Sequence, residues 1–520
     1  MSAFTKESSG SCSPIRSIAV VGRDVDAWIS ALLLQLSLGN ADKPVTITLV
    51  ELPSRLTPGE VYPTLPSQQA LHRLLRLDQQ ALLGACGGLP SMGYRYFGWA
   101  GSKSEFFMPF DTAGSALNGV AFIHYWARAR QRGLNIPLDA FSLCAASAKQ
   151  GRYYSHEIDS ERFSSGQLAG NLPAISYLQT IGRIALAAGI KHHVAELASV
   201  NIADGIDNTD GRIESLQLKN GETVTADLFI DASGDGELIT QVEPEPAKYF
   251  EAAHFESWAH WFPCDQALVA SVPALQPPPT FNQVNAFDAG WLGRYPLRAH
   301  TALFAPFSSA HTHADQVLEK VQHTAGTPQQ PHLKPLIRGR RTNPWQANCV
   351  SVGTTATSLD PVQGIQLHLL HTSLSYLLTL IPTDSGCMRL EREIYNARLH
   401  DHSLRLRDFQ LAHYALNGRR EPFWQHCANA PRPNTLQHKI ELFRTRGHIP
   451  LKESETFQEE SWQLLFAGCG LVPVAWHPRA ELMAEDEQIA TFQRMLNSIA
   501  ARASQMPAPA SASAGHSTTV

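Results

Sequence analysis

The stretch from Ile18 to Glu51 restricts the fold of this chain more than any other. Ile18–Val21 (IAVV) is a short β-branched run, closed by Gly22 and followed by a helical pattern through Leu38. Val45–Val50 (VTITLV) is a second apolar run, and Glu51 ends it. Strand, turn, helix, strand and terminal acid make the βαβ unit of a dinucleotide-binding fold. In that unit the helix N-terminus faces a pyrophosphate and the acid accepts from a ribose hydroxyl. The turn is Gly22-Arg23-Asp24-Val25-Asp26-Ala27, set against the pattern G-x-G-x-x-G/A. Gly22 and Ala27 fit it. Asp24 stands where a glycine lets the backbone approach the phosphates, so it adds bulk and like charge there. An ordinary βαβ unit without a nucleotide remains the alternative at this point.

A later segment bears on the choice of cofactor. Thr225–Ile230 (TADLFI) runs into Asp231-Ala232-Ser233-Gly234-Asp235-Gly236. In many flavoproteins a hydrophobic strand ending in D-x-S-G returns to the nucleotide domain and closes over the adenosine. Just upstream, Ile213–Leu218, the Asn220-Gly221 turn and Val224–Ile230 read as a β-hairpin. The two segments in this order point to FAD rather than NAD, with Gly22, Ala27, Glu51 and Asp231 as candidate contacts.

Charge and composition remove other classes. With 42 Lys+Arg against 47 Asp+Glu the net charge is −5, which excludes a strongly basic nucleic-acid binder. A hydrophobic content of 43% over 520 residues supports a large core. The eight cysteines form no C-x-x-C pair and suit reduced thiols in a cytoplasmic protein. His192-His193 and His311-Thr312-His313 lack a matching ligand array, so no metal is expected. No stretch reaches the roughly 18 apolar residues of a spanning helix, and no membrane association is expected. Residues 1–14 and 503–520 are polar or Pro/Ala/Ser-rich and read as disordered ends. The hydrolase elbow, the P-loop and the H-E-x-x-H helix are all missing.

The carboxy-terminal half carries a resemblance. Arg338-Gly339-Arg340-Arg341 through Trp345 and Asn348–Gly353 (NCVSVG) are followed by Leu359-Asp360-Pro361-Val362-Gln363-Gly364-Ile365 and an apolar helix, His368–Pro382. His413-Tyr414, Pro422-Phe423-Trp424, Lys439–Gly447, Ser461-Trp462 and Trp476-His477-Pro478 come next. Earlier lie Gly59-Glu60 and His124-Tyr125-Trp126. Together these stretches resemble the flavin-dependent tryptophan halogenases over about residues 15 to 500. The family pattern at the 359–365 turn is L-E-P-L-E-S-T.

The resemblance implies an α/β fold: an FAD-binding Rossmann-like domain, an inserted β-rich substrate region and a helical C-terminal region. The expected layout is a halogenase-like monooxygenase module over 15–382 and a helical region over 383–502 packed on it. It implies an enzyme in which reduced FAD from a separate flavin reductase, O2 and a halide generate hypohalous acid for a small aromatic, indole-like substrate. Many members of the family dimerise, so the resemblance admits a homodimer, and the sequence leaves the oligomeric state open. Gly353, Gly364 and Ile365 are implied as cofactor- and halide-side residues, by their places in the matching motifs. At the chemical positions this chain departs. The family's lysine, in F-K-x-G-I-R-F-x-x-W, is Ser91, which has no charge and cannot form a haloamine. Lys103, the nearest other amine, reads as a surface lysine. The second glutamate of L-E-P-L-E is Gln363, and the second tryptophan of W-x-W-x-I-P is His260, a candidate acid/base group. A divergent flavin-binding protein and a non-catalytic ligand-binding descendant of the fold therefore stand as alternatives to halogenation.

Overall fold

The computed structural model describes residues 13–39, 43–155, 157–159, 166–203, 211–242 and 254–509. The expected disordered ends therefore fall largely outside the described residues, as 1–12 and 510–520. Residues 503–509 differ from that expectation. The last helix, Glu485–Gln505, carries Ala503 and the following Met506 fully into the core. Apolar contact holds these residues in place, which composition does not convey.

The first strand, β1 (Ser17–Gly22), leads into helix α1 (Asp24–Leu34), and the second strand, β2 (Thr46–Glu51), lies parallel to β1. Along α1 nine residues are buried, so this helix is covered on most of its surface by its neighbours. The other neighbour of β1 is the Leu228–Ala232 strand, in register from Ile18–Leu228 to Gly22–Ala232. The full sheet has six strands, with Lys191–Val194 beyond β2 and Cys349–Ser351 beyond Leu228–Ala232. Its inner parallel strands β1, Leu228–Ala232 and Cys349–Ser351 are covered on both sides, which explains their apolar runs, while the outer strand Lys191–Val194 is polar and partly exposed.

The expected hairpin is only partly formed. Of the second arm only Thr223–Val224 pairs with Ile213–Leu218, whose other edge pairs with Leu197–Ile202, and the chain then leaves for the six-stranded sheet at Leu228. The LFIDA run is wholly buried, so it is placed where both faces find apolar cover.

A second sheet has seven strands, in the order Gln329–Pro335, Gln266–Pro273, His300–Phe307, Gly290–Pro296, Asn282–Phe287, Gly93–Phe97 and Glu105–Pro109. One hydrophobic cluster joins this sheet to the C-terminal helices, bringing Tyr94, Tyr96 and Trp291 together with Phe409, Trp424, Trp462 and Ile499. Cys349 lies in a strand and is fully buried. Among the described residues no helix is long and apolar enough to cross a membrane.

Candidate functional site

The phosphate-loop residues lie where β1 ends against the Leu228–Ala232 strand. A Cβ at Gly22 would stand 2.3 Å from the Ala232 carbonyl oxygen, so only glycine permits this approach. Asp24 keeps the left-handed conformation of the glycine it replaces, with φ of 56°. Its carboxylate turns onto the loop after β2, accepting from Ser54 Oγ (2.5 Å) and the Arg55 amide (3.3 Å). It is thus held by its own chain. The first amides of α1 lack intrahelical acceptors and offer partial positive charge to an anion. Ala27 is fully buried in the first turn of α1.

Two arginines flank this opening. Arg23 is nearly buried, and it donates to Pro53 O (3.1 Å), Ser233 O (2.5 Å) and Glu237 Oε1 (2.5 Å). Arg55 is exposed and pairs with Asp235. The sequence reading did not single out either arginine.

Glu51 sits opposite Gly22 in the register. Its oxygens accept from Trp28 Nε1 (2.9 Å) and contact His192 Nε2 (2.8 Å), which orients the carboxylate and leaves lone pairs for a hydroxyl. Asp231 differs from the expected contact: it is fully buried and faces its own loop. One oxygen accepts from Ser233 N and Oγ (3.0 and 2.6 Å), the other from the Leu238 and Ile239 amides (2.8 and 2.9 Å). It shapes the 233–239 loop instead of reaching outward.

Gly353 opens the next turn, with φ of 55°, and a Cβ on it would lie 2.7 Å from Asp26 Oδ2. Asp26 accepts from the Thr354 amide (3.4 Å) and Thr354 Oγ1 (3.0 Å). Burial, with Asp24 as a further negative neighbour, raises its carboxyl to about 6. The motif reading passed over Asp26 because no family position marks it. These residues fit FAD: a close glycine turn, open helix amides, an acid at the end of β2 and two flanking arginines, with Asp24 folded aside.

The 359–365 turn meets the second sheet. Gly364 has φ of 65°, and its missing Cβ would strike Pro63 O at 2.5 Å and Tyr94 Oη at 2.8 Å. Ile365 is fully buried and caps the Gln366–Thr379 helix. Gln363 is 3% exposed, and its Nε2 contacts Tyr96 Oη (3.2 Å) and Met108 Sδ (3.1 Å). A cavity of about 40 Å³ beside the turn is lined by Gly59, Glu60, Pro63, Tyr295, Pro361 and Gln366, among others. Asp360 is fully buried, joined to Arg338 (2.5 Å) and Tyr414 Oη (2.6 Å), and so anchors the turn.

Ser91 is 1% exposed, on the Leu89–Ser91 strand, with Oγ donating to Gly93 O at 3.3 Å. It therefore precedes by a few residues the strand that carries Tyr94 and Tyr96. Lys103 is exposed. His260, the candidate acid/base group, stands away from both of these regions. It lies exposed on a turn, its ring 4.1 Å from that of Trp261, and desolvation with Arg407 nearby lowers its pKa. Arg407 instead reaches over the Trp258 and Trp261 rings, at 5.6 and 4.7 Å. The structure thus keeps Gln363 and Gly364 together on the 359–365 turn and Gly22, Ala27, Glu51 and Gly353 around the phosphate loop, and it leaves His260 apart.

Known proteins share the fold and family character of this chain. The Tryptophan halogenase family profile matches residues 17–485. Tryptophan 6-halogenase ThaL of Streptomyces albogriseolus is 22% identical over 91% of this chain and 93% of its own. Among solved structures, BrvH, a flavin-dependent halogenase from Brevundimonas sp. BAL3, superposes with a TM-score of 0.87 at 30% identity, covering 96% of this chain and 98% of that one. Xcc4156, a flavin-dependent halogenase from Xanthomonas campestris, does so at 0.87 and 26%, with the same coverage. By profile, fold and the order of its motifs, the chain belongs to the tryptophan halogenase family.

Proposed function

We propose that this protein is a flavin-dependent halogenase that transfers halogen from hypohalous acid to a neutral, indole-like aromatic, without a lysine-bound halogen. Bound reduced FAD supplies, with O2, the oxidising equivalents that convert the halide. The transfer is balanced as hypohalous acid plus aromatic C–H giving carbon–halogen and water. Ser91 Oγ is the hydrogen-bond partner left at the lysine position, and Gln363 stands beside the substrate in place of the glutamate. Gly22, Ala27, Glu51 and Gly353 hold the cofactor, and Gly364 and Ile365 form the halide-side turn. The reading includes a cytoplasmic location, a homodimer and a separate reductase.

One observation carries the proposal: Asp24, which alone would repel a pyrophosphate, is turned onto Ser54 and Arg55 and leaves the opening of α1 free. The lack of an amine at Ser91 favours a second reading, flavin-dependent oxidation without halogen transfer. Titration with oxidised and reduced FAD, followed by turnover with a reductase, bromide and a panel of indoles and phenols, separates them. Brominated product from the unmodified protein is expected. Oxygenated product alone establishes the second reading, and absence of saturable flavin binding overturns both. Bromination only after Ser91→Lys shows that transfer requires the amine.

A further inference from the structure

The hydrogen bonds behind Gln363 have a fixed direction. His413 is fully buried on the long Arg389–Ala415 helix, and its Nδ1 lies 3.0 Å from Phe409 O. A carbonyl only accepts, so the ring proton is on Nδ1. Burial lowers the pKa of this imidazole to about 4 and keeps it neutral, so Nε2 holds a bare lone pair. Tyr96 Oη stands 3.3 Å from that nitrogen and donates to it, with Val362 O (3.4 Å) as a longer second acceptor. With its proton so used, Oη accepts from Gln363 Nε2 at 3.2 Å. Met108 Sδ, at 3.1 Å, takes up the other side of the amide nitrogen. The Tyr96 ring is itself clamped, stacked on Phe106 with centroids 4.8 Å apart and edge-on to Trp99 at 5.5 Å.

This chain of donors fixes which way the Gln363 amide points. Its nitrogen is committed to Tyr96 and Met108, so Oε1 is on the opposite side. Oε1 has no hydrogen-bond partner among the described residues, and it is not sealed off as both amide atoms of Gln410 are. An amide oxygen accepts a hydrogen bond but takes no proton near neutral pH. A nearly buried acceptor of this kind discriminates strongly against ligands that leave it unpaired.

We propose that Tyr96 and His413 are positioning residues that hold the Gln363 amide oxygen toward the substrate, where it selects aromatics carrying a ring N–H or an O–H. The inference rests on the reading above that Gln363 lies beside the substrate. Substrates of this class keep their hydrogen and enter as neutral, electron-rich rings.

The test uses the full chain loaded with oxidised FAD and compares calorimetric binding of indole with benzofuran, an isostere that lacks the donor. The unmodified protein is expected to prefer indole about tenfold. Tyr96→Phe keeps the ring and its stacking, and is expected to bring the ratio near one by weakening indole alone. Gln363→Met, close in length but without the acceptor, is expected to do the same should Tyr96→Phe lower stability. A structural role for Tyr96 would weaken both ligands equally, and that result overturns the inference. Equal binding of both ligands by the unmodified protein overturns it too, while leaving the aromatic-substrate reading intact. Failure of both ligands to bind overturns that reading together with the inference.

Discussion

Asp26 and Asp24 show how single side chains set the phosphate loop. Asp26 has its carboxyl raised from 3.8 to about 6, first by burial. Because the folded value lies above the unfolded one, its stabilising contribution is complete below about pH 3.8 and is lost as pH rises through about 6. Asp26→Asn keeps an acceptor for Thr354 without the charge. It is expected to stabilise the protein by about 1–2 kcal/mol at pH 8 and by little at pH 4, an estimate discounted for the side chain's residual exposure. Urea unfolding at the two pH values measures the difference. Asp24 holds a positive φ and adds a negative charge near the phosphates. Asp24→Gly removes both features and is expected to tighten FAD about three- to tenfold, read by quenching of flavin fluorescence. Tyr96 makes a related point: the resembled pattern has phenylalanine there, and the hydroxyl that tyrosine adds is the one that meets Gln363.

At the scale of elements, the 359–365 turn shows what local pattern conveys. Its position before an apolar helix was legible, and the helix runs from Gln366 to Thr379 where His368–Pro382 was expected. From its place in the motif Gly364 read only as a halide-side residue. In the fold it is a packing requirement, because Pro63 O and Tyr94 Oη occupy the space of a Cβ. Gly364→Ala is therefore expected to cost on the order of 2 kcal/mol or more, seen as a lowered melting temperature. The strands β1 and β2 were readable as continuous β-branched runs because both faces of a parallel strand are buried. The D-x-S-G ending assigned the Leu228–Ala232 strand to the nucleotide domain, but its individual neighbours were not readable, since a buried run carries no mark of register. The outward position of His260 was not legible either. Its motif neighbours Trp258 and Phe262 are buried, but the turn between them points its ring outward.

Across the whole molecule the apolar cores decide what counts as one unit. The seven-stranded sheet shares a cluster with Phe409, Trp424, Trp462 and Ile499, all beyond residue 382. A fragment of residues 1–382 leaves Tyr94, Tyr96 and Trp291 without that cover, and it is expected not to fold. Loss of near-ultraviolet circular dichroism and a broad melt would show this, whereas a cooperative melt of the fragment would establish two independent units. By itself the sequence determined the βαβ unit, the order of the family's motifs and the replacements at Ser91 and Gln363, because periodicity and residue identity are local properties. Only the tertiary structure decided that Asp24 is folded aside, that Asp231 faces inward and that Gln363 is held through Tyr96 by His413. Those outcomes depend on hydrogen bonds between residues from 2 to 317 positions apart, and side-chain direction across such distances is set by packing.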